Sequence, residues 1–271
     1  VSDPGAYGKR TPKRHPAVQF ASVFTGVIPN MPSSRPGVDH LQPFTAWQML
    51  GNDRAADCVS VMWANTRRVV STTIGTAEYP TQDMVWAFYR TQNPGFNPNG
   101  DPSVDGPGSS ADQGMDIQTA CEDLHKNGGP DGTKMVGFAQ VDHTSLQEVK
   151  AAIALAGAVF VGTQVNANNE AEFSASEPWT YDRNSPNVGG HGICTAGYGY
   201  GGTGLEGRDF KFVTWAEETS FSDGLLLNQV DEVWLPIWPE HMQHGPFLEG
   251  VSMSQFAADY QTITGRPFPA S

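Results

Sequence analysis

From Cys58 onward, residues suited to a buried face recur at three- and four-residue steps: Val59, Met62, Trp63, Thr66, Val69 and Val70. That period predicts a helix. Asp53 and Asp57 precede it and Arg67 and Arg68 lie near its end, the charge order that a helix dipole favours. A second helical face follows Thr81 with Met84, Val85, Phe88 and Tyr89, and a third, over about 115–127, carries Ile117, Ala120, Cys121 and Leu124 up to the stop Gly128-Gly129-Pro130. Ser145 and Glu148 stand at capping-box spacing before a fourth helix bearing Leu146, Val149, Ala152 and Ile153, which Gly157 ends. The pattern then changes to short apolar runs. Strands are predicted at Ala158–Val165, from about His191, at Phe210–Trp215, and at Leu225–Val230 running into Asp231–Trp234, with a polar loop to about 188 and a Gly-rich turn at 199–204. Helices first and an antiparallel sheet afterwards predict an α+β fold.

The two ends of the chain depart from this pattern. Residues 1–40 contain Pro4, Pro12, Pro16, Pro29, Pro32 and Pro36 and are expected to run extended. Five basic side chains (Lys9, Arg10, Lys13, Arg14, Arg35) against Asp3 and Asp39 give this segment a net charge of +3, so the chain total of −13 leaves −16 on the rest. A basic arm over 1–40 is therefore expected to dock on the acidic body or on a neighbouring subunit. Residues 41–237 form the domain proper, and 238–271 are read as a C-terminal extension with one short helix around 253–260.

Composition narrows the function classes. The acidic balance argues against a nucleic-acid-binding surface, and no apolar run approaches the ~20 residues of a membrane span. Three cysteines among 271 residues make no disulfide framework. No secretory signal pattern is seen, which is compatible with cytoplasmic synthesis.

Among candidate reactive groups, Cys58 stands out because it opens a predicted helix, where unpaired backbone N–H groups and the macrodipole favour a thiolate. His191 sits in Gly189-Gly190-His191-Gly192-Ile193, an approachable imidazole suited to a general base. The GxGxxG spacing within Gly197–Gly204 joins two strands and opens no helix, so it reads as a hairpin turn. His241 with His244, and the oxygen-rich loop of Asn97, Asn99, Asp101 and Asp105, complete no known ligand pattern. Cys121 and Cys194 fall on apolar faces as core residues. No metal and no cofactor is expected.

Taken in order, these features resemble the papain-like cysteine peptidase fold. Asn52 precedes Cys58 by six positions, where that family places the Gln of its oxyanion hole. Gln113-Gly114-Met115 resembles the glycine-rich segment that lines the substrate cleft, Gly190-His191-Gly192-Ile193-Cys194-Thr195-Ala196-Gly197-Tyr198-Gly199 the strand of the catalytic His, and Val213-Thr214-Trp215-Ala216 the Asn-Ser-Trp-Gly stretch. The resemblance spans about residues 45–235. It implies a helical part with the Cys at a helix start, followed by an antiparallel half-barrel. Cys58, His191 and Asn52 would be catalytic, while Gln113, Gly114, Met115, Gly190 and Trp215 would contact a peptide-like substrate. Val213 stands where the family has the Asn that orients its His, so Thr214 or Glu217 would take that part, or the site would be a Cys–His dyad. Asn52 is one methylene shorter than Gln, and a charged Asp57 would oppose thiolate formation.

Two functions are therefore expected to compete. One is a cysteine hydrolase, a peptidase or amidase acting through a thioester. The other is a catalytically silent papain-like domain serving assembly, for example in a bacteriophage virion, with its arm on a neighbouring chain; the sequence also looks like phage and actinobacterial papain-like proteins of uncertain activity.

Overall fold

The computed structural model describes residues 5–24, 37–73, 76–199 and 210–243, together with Ala258 and Gln261. All but Gly199 of the Gly-rich turn expected at 199–204, and nearly all of the helix expected at 253–260, lie outside the described residues.

The helices that the periodicity predicts are present: α2 (Cys58–Thr73), α3 (Gln82–Tyr89), α4 (Ile117–Lys126) and α5 (Leu146–Ala156). A four-residue α1 (Phe20–Val23) precedes them, and α6 (Ala167–Ser174), α7 (Asp223–Gln229) and α8 (Pro239–Gln243) follow. Capping explains several boundaries. Thr81, Asp116 and Ser145 accept hydrogen bonds from the backbone N–H of Met84, Thr119 and Glu148, satisfying donors that have no partner within the helix. Glu148 does not close a box with Ser145; its carboxylate accepts instead from the N–H of Asp142.

Two expectations fail. The polar stretch after β3 (Val159–Asn166) is not all loop, because Asn166 and Asn169 form a reciprocal capping box at the start of α6, with Asn169 Oδ1 accepting from the Asn166 N–H at 3.0 Å. Leu225–Val230 is not a strand: Ser222 caps α7, which buries Leu225 and Leu226, and the strand β7 begins only at Val230 and runs to Ile237. A short run of leucines has no period to separate helix from strand, and the cap decides it.

The sheet is antiparallel, in the order β2 (Gly137–Val141), β7, β3, β4 (Asn187–Tyr198), β5 (Phe210–Thr214), β6 (Glu217–Phe221), with the two-residue β1 (Val38–Asp39) pairing β4. Successive side chains face opposite ways. Phe160, Cys194, Ala196, Val213 and Trp234 join a core with α2, α3 and α4, while Val159, Val161, Ile193, Phe212 and Leu235 join another with α1 and α5. Helix α2 packs on β4 at Gly192, where a Cβ would lie 3.2 Å from Val59. That contact brings the start of the Cys58 helix against the strand that carries His191. Cys121 and Cys194 are buried in the helix-side core. Among the described residues no helix is long and apolar enough to cross a membrane.

Candidate active site

Cys58 opens α2 and is buried. Its sulfur accepts a hydrogen bond from the Gly192 N–H at 3.4 Å, one residue along β4 from His191. His191 is 1% exposed. Its Nε2 lies 2.6 Å from Thr214 Oγ1 and its buried Nδ1 has no hydrogen-bond partner. With the proton on Nε2, the ring donates to Thr214 and Nδ1 is the free base.

Thr214, and not Val213, is the residue that meets the imidazole. Val213 pairs with Cys194 and points into the helix-side core, so the next residue faces the imidazole. Glu217 is instead the partner of Thr214 across the β5–β6 hairpin. That hairpin turns through Trp215 (φ 44°) and Ala216 (φ 63°), left-handed conformations that cost about 1–3 kcal/mol each in residues with a Cβ. The turn carries Trp215 onto the His191 ring, with centroids 4.7 Å apart, and Trp215 is itself packed between Phe173 and Trp179.

Asn52 lies at the same end of α2. Its Nδ2 donates to Ala6 O at 3.0 Å and to Ala55 O at 3.2 Å. Asp57 is fully buried, and burial, with the nearby Asp112 charge, pushes its carboxyl well above the usual range. Its charge adds to the upward push on the Cys58 thiol, as the sequence leads one to expect.

The cleft is occupied by the chain's own N-terminal arm. Gly8 and Lys9 both donate their backbone N–H to Gly190 O, at 3.1 and 2.9 Å. On the opposite wall Met115 N donates to Gly8 O at 2.7 Å and Arg10 N to Met115 O at 2.8 Å, so the arm runs parallel to the Met115 segment. Gln113 O accepts from Arg10 Nε. Gly114, at φ 71°, leaves so little room that a Cβ there would fall 1.9 Å from Gly8 O. Ala6 pairs its N–H with Asn52 O, and Tyr7 stands edge-on to both His191 and Trp215. Thus the five residues expected to touch substrate (Gln113, Gly114, Met115, Gly190 and Trp215) all touch the arm. Beyond the cleft the arm continues along Asp116 and Gln118 to Val18 and is pinned by Phe20 and Phe24, stacked at 4.6 Å and fully buried. Docking of the arm on the body is expected from the sequence, but its place is set by contacts from Ala6–Arg10 to Asn52, Met115 and Gly190 that join residues far apart in the chain.

Burial shifts both members of the pair away from their charged forms. It pushes the Cys58 thiol up to about 12, opposed mainly by the Gly192 N–H and further by the Gly8 N–H and Lys9. It pulls the His191 imidazole down to about 3. Between those values thiol and imidazole are both neutral.

Other sequence candidates carry no such arrangement. His241 is spent on structure, accepting from Trp238 N–H and contacting Ala156 O; His244 lies outside the described residues. No cluster of metal-binding side chains occurs among the described residues.

No sequence profile of a known family matches the chain, and no curated protein matches it in sequence. Solved structures do. The cysteine protease xylellain of Xylella fastidiosa superposes with a TM-score of 0.62 at 16% identity, over 87% of this chain and 97% of that one. A procathepsin B of Trypanosoma congolense gives 0.57 at 10% identity over 86% of each chain. The digestive procathepsin L 3 of Tenebrio molitor larval midgut gives 0.52 at 11% identity, covering 84% of this chain and 76% of that one. The chain has a papain-like α+β fold.

Proposed function

We propose that the protein is a cysteine hydrolase, a peptidase or amidase, whose active site is covered by its own N-terminal arm. The observation that carries this reading is a buried Cys58 bonded to the strand of His191, in a cleft already holding an extended peptide on both walls. With the arm displaced, His191 Nδ1 takes the Cys58 proton and the sulfur attacks the scissile carbonyl carbon. The oxygen of that carbonyl takes the place of Ala6 O, where Asn52 Nδ2 and the Cys58 backbone N–H stabilise its negative charge. Collapse to the thioester releases the amine with the proton from His191. Water, deprotonated by His191, then frees the acid and regenerates the thiol.

The test is a hydrolase screen of the arm-displaced full chain beside the same protein carrying Cys58→Ala. Hydrolysis that disappears with the thiol supports the reading, and hydrolysis that survives Cys58→Ala sinks it. The silent assembly role would require an arm committed to another chain, and a protein inert in every form would favour it. Thr214→Val removes the partner of His191 Nε2 without changing side-chain size. It is expected to lower kcat/KM by about 10²-fold, the scale of a disturbed general base; a rate within twofold of wild type would show that Thr214 does not orient the ring.

A further inference from the structure

Two side chains of the arm's cleft segment reach acids: Tyr7 donates its hydroxyl to Glu170, and Lys9 enters a pocket with two carboxylates. Lys9 is fully buried and its Nζ lies 2.5 Å from Asp231 Oδ2 and 3.8 Å from Glu232 Oε1. Its stem passes Gly162 of β3, where a Cβ would fall 2.5 Å from Lys9 Cε. The absence of a side chain at 162 therefore makes the pocket. Both carboxylates are held from behind, Asp231 by Gln164 Nε2 at 2.6 Å and Glu232 by Trp234 Nε1 at 2.7 Å. Glu232 Oε1 is buried without a hydrogen-bond partner. Two acids thus face one ammonium, and one acceptor remains unmet. Asp231, Glu232 and Trp234 also border a groove of about 520 Å³ whose other wall is the arm itself from Pro12 to Gln19.

We propose that this pocket reads the substrate: the chain seated between Met115 and Gly190 must place an arginine or lysine side chain against Asp231 and Glu232, as the arm does with Lys9. This rests on the hydrolase reading for its consequence, though not for the binding preference itself. The backbone bonds from Met115 and Gly190 accept almost any sequence, so selection falls to the side-chain pocket. An apolar side chain there would leave the buried Glu232 carboxylate without a counter-charge and Asp231 with only partial access to water, the arrangement that sites built for polar groups reject most strongly. An arginine fork could also satisfy the unmet Glu232 oxygen while keeping the Asp231 bond.

The experiment uses the full chain with Lys9→Met, which empties the pocket of its cation, and a set of fluorescent peptides carrying Arg, Lys, Leu or Phe at each position in turn. Hydrolysis should prefer Arg or Lys over Leu at one position by about 100-fold, as expected when a buried charge is left unpaired, and adding Glu232→Gln should remove most of that preference. A preference for Leu or Phe, or a basic preference untouched by Glu232→Gln, would overturn the proposal. The same peptides are also bound to the Cys58→Ala, Lys9→Met protein and followed by anisotropy. If nothing is hydrolysed, the hydrolase reading fails alone, and a basic preference in binding still supports the pocket. Equal binding of all peptides, or none, overturns it.

Discussion

Substituting valine for Gly8 in the full chain is expected to expose Cys58 and to move its alkylation by iodoacetamide to lower pH. A Cβ at Gly8 would fall 1.7 Å from Ala56 O, a backbone atom at the head of the Cys58 helix, so the arm cannot seat as it does with glycine. Burial is the largest reason for a thiol pKa of about 12 against an ordinary 9.0. Full relief would raise the thiolate fraction near pH 8 by about 10³-fold, and thiolate is the species that reacts. The arm supplies only part of that burial and also contributes the opposing Gly8 N–H, so a gain of at least about tenfold is the expected result. Burial likewise holds His191 down to about 3, so its pKa should rise as the cleft fills with water, and the two shifts together favour proton transfer from thiol to imidazole. The check is the rate of Cys58 labelling against pH, read by peptide mass, with Cys121 and Cys194 as internal references and thermal unfolding to verify the fold. A labelling profile identical to that of the native chain, in a stable variant, would mean that the arm does not control the thiol.

Arg67→Met should be the most damaging single change to stability. The Arg67 side chain is fully buried in α2, with Nε 2.9 Å from Asp131 Oδ2, Nη2 2.7 Å from Glu240 Oε1 and 3.1 Å from Thr133 Oγ1, and its guanidinium over the Trp238 ring. Methionine fills much of the space but leaves two nearly buried carboxylates with no cation, which costs about 3–5 kcal/mol. That is a large part of a typical domain stability of about 5–15 kcal/mol. The pH dependence has a definite sign. Burial alone would raise the Glu240 pKa, but the hydrogen bond and charge of Arg67 outweigh it and hold the group below its ordinary value. A depressed carboxylate stabilises the fold above its unfolded pKa and loses that contribution as pH falls through its folded one. Without Arg67 the shift reverses, so the variant's deficit should be largest near neutrality and shrink toward pH 4. Urea unfolding at two pH values measures this, and a deficit below 1 kcal/mol at neutral pH would contradict the ion-pair account.

Much of the fold was legible because its signals are local. The buried face of α2, the caps of α3 and α5 and the change of period after Gly157 are each written within a dozen residues. So was the neighbourhood of the site: Cys58 at a helix start and His191 on a strand among glycines. Leu225–Val230 was misread because three leucines in a row fit either period. Helix α6 was missed because its apolar face is little more than Phe173 and its start depends on reciprocal Asn caps. The contact of Thr214 with His191 follows from a parity that can be counted only once Val213 is known to face the helices. The arm's position was least readable of all, since Gly8 meets Met115 and Gly190 and Lys9 meets Asp231 across separations that no local pattern encodes. The charge imbalance between the first forty residues and the rest was its one trace.

The parallel seating of Ala6–Arg10 between Met115 and Gly190 also bears on how the protein would respond to concentration. A segment tethered to the surface it covers competes at an effective concentration on the order of millimolar, whatever its intrinsic affinity. Dilution cannot release it, and a second copy of the protein is not needed to restore it. A free peptide of ordinary affinity gains access mainly in the fraction of time the arm is lifted, so apparent affinity falls by that fraction. Below saturation, turnover should then scale with the arm's opening equilibrium and be first order in protein, and a cut that severs the tether between the cleft segment and β1 should raise it.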